Sequence, residues 1–119
     1  MKDFKTLSIW EKSHKLTLRL YNTTQLFPKQ ELFGLSSQIR RSASSIPTNI
    51  AEGCGRNSDA DFARFLQIAF GSACELEYHL ILTRDLKYVS EEEFLSLTTD
   101  LIEIKKMLAA FISRVRTNG

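Results

Sequence analysis

Cysteine, proline, glycine and long apolar runs are all scarce in this 119-residue chain, and each shortage removes a class of fold or function. Two cysteines, Cys54 and Cys74, cannot build the framework of a disulfide-stapled secreted domain. The two histidines, His14 and His79, lie in separate segments and do not join the cysteines at zinc-ligand spacing. Both thiols are therefore read as free, the usual state in the cytosol. No apolar run approaches transmembrane length, and Met1-Lys2-Asp3-Phe4-Lys5 leads into no signal-peptide core. A cytoplasmic location and no membrane partner are expected. No segment alternates with period two, which argues against strands.

Catalytic patterns are missing as well. No serine sits in a strand-to-helix elbow, and Gly53-Cys54-Gly55 lacks both the preceding strand and the Lys-Ser/Thr ending of a phosphate loop. No Glu-x-x-His or His-x-x-x-His pair occurs on a helix. The expectation is a protein that is not an enzyme, with no metal and no cofactor. Charge gives little direction: 16 Lys/Arg against 14 Asp/Glu leave +2, with the basic excess in the N-terminal half.

What the chain does have is helical periodicity. With 43% hydrophobic and 25% charged residues it reads as one globular domain over 1–119. A first helix is expected from Ser8 to about Leu26, opened by a Ser8-x-x-Glu11 capping box. Its core row is Ile9, Ser13, Leu16 and Leu20. Trp10, His14, Leu18 and Tyr21 share a neighbouring face, and Lys12, Lys15 and Arg19 a third. Phe27-Pro28 breaks the pattern before a second helix from about Lys29 to Glu52, with Glu31 favourably placed in its first turn. A third helix runs from the cap Ser58 to about Lys87. Its core row is Phe62, Leu66, Ala69, Ala73, Leu76 and Leu80, and a second row runs Phe65, Ile68, Ser72, Glu75, His79, Leu82, Leu86. Gly71 in mid-helix reads as a point of close backbone approach. A fourth helix opens with the capping box Ser90-x-x-Glu93 and carries an unbroken apolar row from Phe94 to Val115, before a frayed tail Thr117-Asn118-Gly119. Four helices with short connectors imply an all-α, up-down-up-down four-helix bundle. Helices one and three carry more apolar rows than one core requires, which points to self-association.

The second helix organises the rest. Leu35, Ile39, Ala43, Ile46 and Ile50 form its apolar row, while Gln38, Arg41, Ser45, Asn49 and Glu52 form a polar row about 120° away. Serine and asparagine are mediocre helix formers, so a row of them reads as partly buried against another helix or subunit. Pro47 removes the hydrogen bond to the Ala43 carbonyl, yet the apolar spacing runs through it, so the helix is expected to continue with a kink. Ser44 and Ser45 are candidates to satisfy the freed carbonyl, and Gly53 to stop the helix. An enclosed charge needs a partner, so Arg41 is expected to pair with Glu75, with Gln38 or Asn49 completing the hydrogen bonds. The alternative makes Arg41 a ligand-facing cation like Arg40.

Gln38-Ile39-Arg40-Arg41 followed by Ser45-Ile46-Pro47-x-Asn49-Ile50-Ala51-Glu52-Gly53 resembles the bacterial four-helix-bundle family encoded in intervening sequences of 23S ribosomal RNA genes. Leu7-x-x-Trp10, Phe27-Pro28-x-x-Glu31 and Ala69-x-Gly71-Ser72-x-x-Glu75-Leu76-Glu77 extend the resemblance over nearly the whole chain. It implies a homopentamer, five bundles around a central axis. The fold is also similar to the accessory variability protein of diversity-generating retroelements, which serves a reverse transcriptase and contacts nucleic acid. Two functions follow. In one, an oligomeric accessory protein binds RNA or DNA phosphates through Lys12, Lys15, Arg19, Arg40, Arg56 and Arg64. In the other, the oligomer is a protein-interaction scaffold that makes no direct nucleic-acid contact. The near-neutral charge favours the scaffold, but the resemblance tips the expectation to nucleic-acid binding, with the scaffold as the alternative.

Overall fold

The computed structural model describes residues 2–118. Four α-helices follow one another, α1 (Ser8–Thr24), α2 (Leu35–Cys54), α3 (Asp59–Asp85) and α4 (Glu91–Asn118), and the described residues contain no strand. Each helix packs on the next in sequence and α1 closes against α4, so the four surround one core in a rod of 45 × 23 × 20 Å. This is the four-helix bundle that the apolar rows required. Leu20, Ile39, Ile50, Leu66, Leu76 and Leu101 lie fully buried at its centre. The core row of α4 is buried throughout except at Phe111, which is half-buried while its neighbour Ile112 is buried.

The helix ends show where local chemistry departs from the sequence reading. Ser8 does not cap α1. The preceding 3-10 turn Phe4–Thr6 ends at Leu7, whose carbonyl accepts from the Trp10 and Glu11 N–H groups, so Ser8 is already helical. Helix α2 starts six residues later than Lys29. Pro28 leads into a 3-10 turn, Lys29–Glu31, and Gly34 interrupts the helix before Leu35. Glu31 still serves the helix from outside, its Oε1 accepting the Leu35 N–H at 3.2 Å. The Tyr88 hydroxyl donates to the same carboxylate at 2.8 Å and ties the two connectors at this end of the rod. The expected caps at α3 and α4 are present, Ser58 Oγ accepting from the Asp61 N–H and Ser90 Oγ from the Glu93 N–H.

Helix α3 stops at Asp85 because the chain turns left-handed at Lys87, φ 63°. Tyr88 N–H returns to the Thr83 carbonyl and Lys87 N–H to Arg84, the pattern that glycine usually provides. At the other end of the chain α4 does not fray at Thr117. The helix continues through Asn118, with the Thr117 hydroxyl donating to the Ser113 carbonyl at 2.8 Å, and Gly119 lies outside the described residues.

Helix α2 runs unbroken through Pro47, which is buried. The group that meets the freed Ala43 carbonyl is neither Ser44 nor Ser45. Thr17 Oγ1, from α1, donates to it at 3.1 Å, and also contacts the Ser13 carbonyl at 2.8 Å. Ser44 bonds instead to Arg41 O and Ser45 to Ser72 Oγ. Gly53 does not stop the helix either. It lies buried in the last turn, where an added Cβ would come within 2.9 Å of Phe62 Cδ1 and 3.0 Å of Phe65 Cβ. The close approach expected at Gly71 is thus found at Gly53. Gly71 faces solvent with nothing within 4 Å of an added Cβ.

Candidate functional site

Three polar constellations arise from this packing. The first is the basic row of α1. Lys12, Lys15 and Arg19 point along the α1–α4 seam, and each meets a carboxylate. Lys12 Nζ lies 3.0 Å from Glu103 and Lys15 Nζ 3.0 Å from Glu11. Arg19 reaches Glu93 and Asp100 at 3.2 Å each, and donates to Ser96 Oγ at 2.8 Å. Three cations thus face four carboxylates, and the local charge is −1. The sequence of α1 by itself could not reveal this, because three of the four acids belong to α4.

The second is the polar row of α2, which meets the polar middle of the second α3 row. Arg41 Nη2 donates to Glu75 Oε2 at 2.7 Å and to Gln38 Oε1 at 2.6 Å, so the expected pair is present within one chain. Ser45 and Ser72 hydroxyls meet at 2.8 Å, and Asn49 turns to its own helix, its Nδ2 donating to the Ser45 carbonyl, so that Gln38 alone completes the Arg41 bonds. Glu52 stands apart, 3.8 Å from Arg56. The enclosure is less than the sequence implied: the Arg41 and Glu75 side chains are 60% and 38% exposed. His79, one turn beyond Glu75, is half-buried. Its Nδ1 is buried without a hydrogen-bond partner. Burial pushes the imidazole below its usual 6.5, with Glu75 opposing and Arg41 reinforcing that shift.

The third is a basic end formed by the N-terminal segment, the α2–α3 turn and the end of α4. The Arg56 and Arg64 guanidiniums lie 4.5 and 4.6 Å from the Phe65 ring centre, and Arg64 also pairs with Asp61 at 3.2 Å. Counting side chains over residues 2–8, 52–64 and 112–118, six cations (Lys2, Lys5, Arg56, Arg64, Arg114, Arg116) face four acids (Asp3, Glu52, Asp59, Asp61), a net +2. Arg40 belongs to none of these groups. Its Nε donates to Thr24 Oγ1 at 2.8 Å and its guanidinium lies 4.9 Å from the Tyr21 ring centre, which fastens α2 to the end of α1. The six residues read as phosphate contacts are therefore not gathered on one face of a single bundle.

Among the described residues no three His, Cys, Asp or Glu side chains are close enough to hold a metal ion. His14 stacks on Trp10 with ring centres 5.1 Å apart. Cys54 is buried and burial raises its thiol, while Cys74 is exposed. No described helix is long and apolar enough to cross a membrane. The apolar side chains that the sequence reading passed over are Leu26, Leu32 and Phe33, in the α1–α2 connector. Phe33 is 92% and Leu26 86% exposed. Their signal was an apolar content unusual for a connector around Pro28.

Comparison with known proteins agrees with this architecture. A family model described as the 23S rRNA-intervening sequence protein matches residues 5–110. A crystal structure from Bacteroides thetaiotaomicron, described as a protein of unknown function from the S23 ribosomal protein family, is 37% identical. It superposes with a TM-score of 0.82 over 87% of this chain and 97% of its own. No curated protein matches. On the strength of the family match, the identity to that structure and the shared fold, this chain belongs to the 23S rRNA-intervening sequence protein family.

Proposed function

We propose that the chain is a non-enzymatic, self-associating scaffold that recruits a protein partner, with five bundles arranged around an axis as the family resemblance implies. One observation carries the preference over direct phosphate binding: the α1 row offers a net −1 along the α1–α4 seam. Phosphate contact requires cations whose charge is not already neutralised, because the affinity comes from counterion release in proportion to the phosphates neutralised. The test is to replace Lys12, Lys15 and Arg19 together with Gln and measure affinity for labelled RNA and DNA against salt. Under the scaffold reading neither affinity nor the salt slope changes. A weaker affinity with a flatter slope assigns nucleic-acid binding to the row. Self-association has its own test, since light scattering that finds only a 13.6 kDa species at micromolar concentration refutes it.

A second reading rests on the basic end. Its +2 charge and the two guanidiniums over Phe65 favour an anionic partner there, and ring assembly would multiply that charge. In that case nucleic acid, with a reverse transcriptase as the protein it accompanies, is the partner class. Arg56→Gln with Arg64→Gln then weakens RNA binding when the α1 triple variant does not.

A further inference from the structure

We infer that His79, Glu75 and Arg41 form an acid-operated clasp across the α2–α3 seam, in which a protonated His79 draws Glu75 away from Arg41. The inference goes beyond the scaffold reading and does not depend on it. With His79 neutral the clasp is closed between the two helices. Arg41 of α2 donates to Glu75 Oε2 of α3 at 2.7 Å, and to Gln38 Oε1 of its own helix at 2.6 Å. His79 lies on the same α3 row, four residues after Glu75. Its Nδ1 is buried without a hydrogen-bond partner, the one such side-chain atom among the described residues.

A proton changes what that place requires. Imidazolium carries an N–H on both ring nitrogens, so protonation puts a charged donor where a bare nitrogen stood. A buried donor left unpaired costs more when it is charged, and the ring must find an acceptor. The groups that face it are Glu75 and Tyr78 from α3 and Arg41 from α2. Of these only Glu75 is an anion. A carboxylate four residues before a cation is also the favourable order for an ion pair along a helix. One carboxylate then serves two cations that repel each other, and the Arg41 bond weakens. The coupling is reciprocal: as long as Arg41 holds Glu75, His79 is harder to protonate. The ring's shift below 6.5 has burial as its first cause, and Arg41 adds to it. Opening the clasp removes a crosslink between α2 and α3. It also turns a neutral pair into a cluster of net +1, with Arg41 already 60% exposed to solvent.

The test follows the full chain, labelled at histidine and arginine, by NMR from about pH 8 to about pH 5, the range in which imidazoles titrate. The Arg41 Nε–Hε signal should move with the His79 ring signals and share their midpoint. His79→Gln should abolish that movement, and His14→Gln should leave it. Arg41→Gln should raise the His79 midpoint and Glu75→Gln should lower it, each by roughly half a pH unit or more, about threefold in proton affinity. An Arg41 signal that stays fixed while His79 titrates overturns the inference. A His79 midpoint unmoved by both variants overturns it too, as does a His79 that stays neutral to the end of the titration. The parent protein alone decides the first and last of these, so a variant that folds poorly does not shelter the inference.

Discussion

Thr17 and Pro47 form a pair whose coupling can be measured. In an unbroken helix the Ala43 carbonyl would accept the N–H of residue 47, but proline has none, and Thr17 Oγ1 supplies the donor at 3.1 Å. Thr17 is buried, so Thr17→Val keeps the shape and leaves the carbonyl facing a methyl group. Loss of the bond together with an unsatisfied buried acceptor costs about 2 kcal/mol. Pro47→Ala restores a backbone N–H to the same carbonyl. In that background Thr17 is no longer the needed donor, and Thr17→Val should cost well under about 1 kcal/mol. The coupling energy of the cycle is then about 1–2 kcal/mol. Urea unfolding of the four proteins, at one fixed protomer concentration because assembly adds to stability, reads it directly. Equal Thr17→Val costs in both backgrounds would refute the assignment of Thr17 as the substitute donor.

Other substitutions test the remaining contacts. Gly53→Ala should destabilise by about 1–3 kcal/mol in urea unfolding, because its Cβ meets the Phe65 Cβ as well as a ring edge, and helix backbone cannot yield there cheaply. Lys87→Gly should stabilise by up to about 1 kcal/mol by relieving the left-handed residue at φ 63°, and a lower urea midpoint would contradict this. Arg41→Ala and Glu75→Ala should each cost less than about 1 kcal/mol if the pair stays as exposed as in a single bundle, and about 3–5 kcal/mol if a neighbouring subunit buries it. For His79, the folded state disfavours the imidazolium, so its folded pKa lies below the unfolded 6.5. Stability should hold above that pH and fall as pH drops from 6.5 toward the folded value, and His79→Gln should flatten that fall in urea midpoints taken across the range.

Much of the fold was legible because period alone specifies it. Leu66, Ala69, Ala73, Leu76 and Leu80 recur at helical steps and all are buried. The Arg41–Glu75 pair was legible for the same reason, as two polar rows on adjacent helices must meet. What was not legible depends on residues distant in sequence. The Thr17 bond to Ala43 spans 26 positions, and nothing in the neighbourhood of Pro47 could name it. Local serines were the wrong candidates because Ser45 is drawn across the seam by Ser72. Glycine was misread in a related way. Gly53 and Gly71 look equally unusual within their helices, but only Gly53 has a neighbouring helix close enough to exclude a side chain.

Charge is the property that one helix read alone fixes least. A row of Lys and Arg on one helix has no fixed meaning until its neighbour is known, because the Coulomb field outside the molecule depends on the sum. Lys12 and Arg19 each lie within 3.2 Å of an α4 carboxylate, a fraction of the roughly 8–10 Å over which physiological salt screens exposed charges. A phosphate approaching that seam meets dipoles and not a cationic stripe. The residual positive charge lies at the end with Arg56 and Arg64, a net +2 over residues 2–8, 52–64 and 112–118. Bundles set side by side in one direction would gather it into a basic rim.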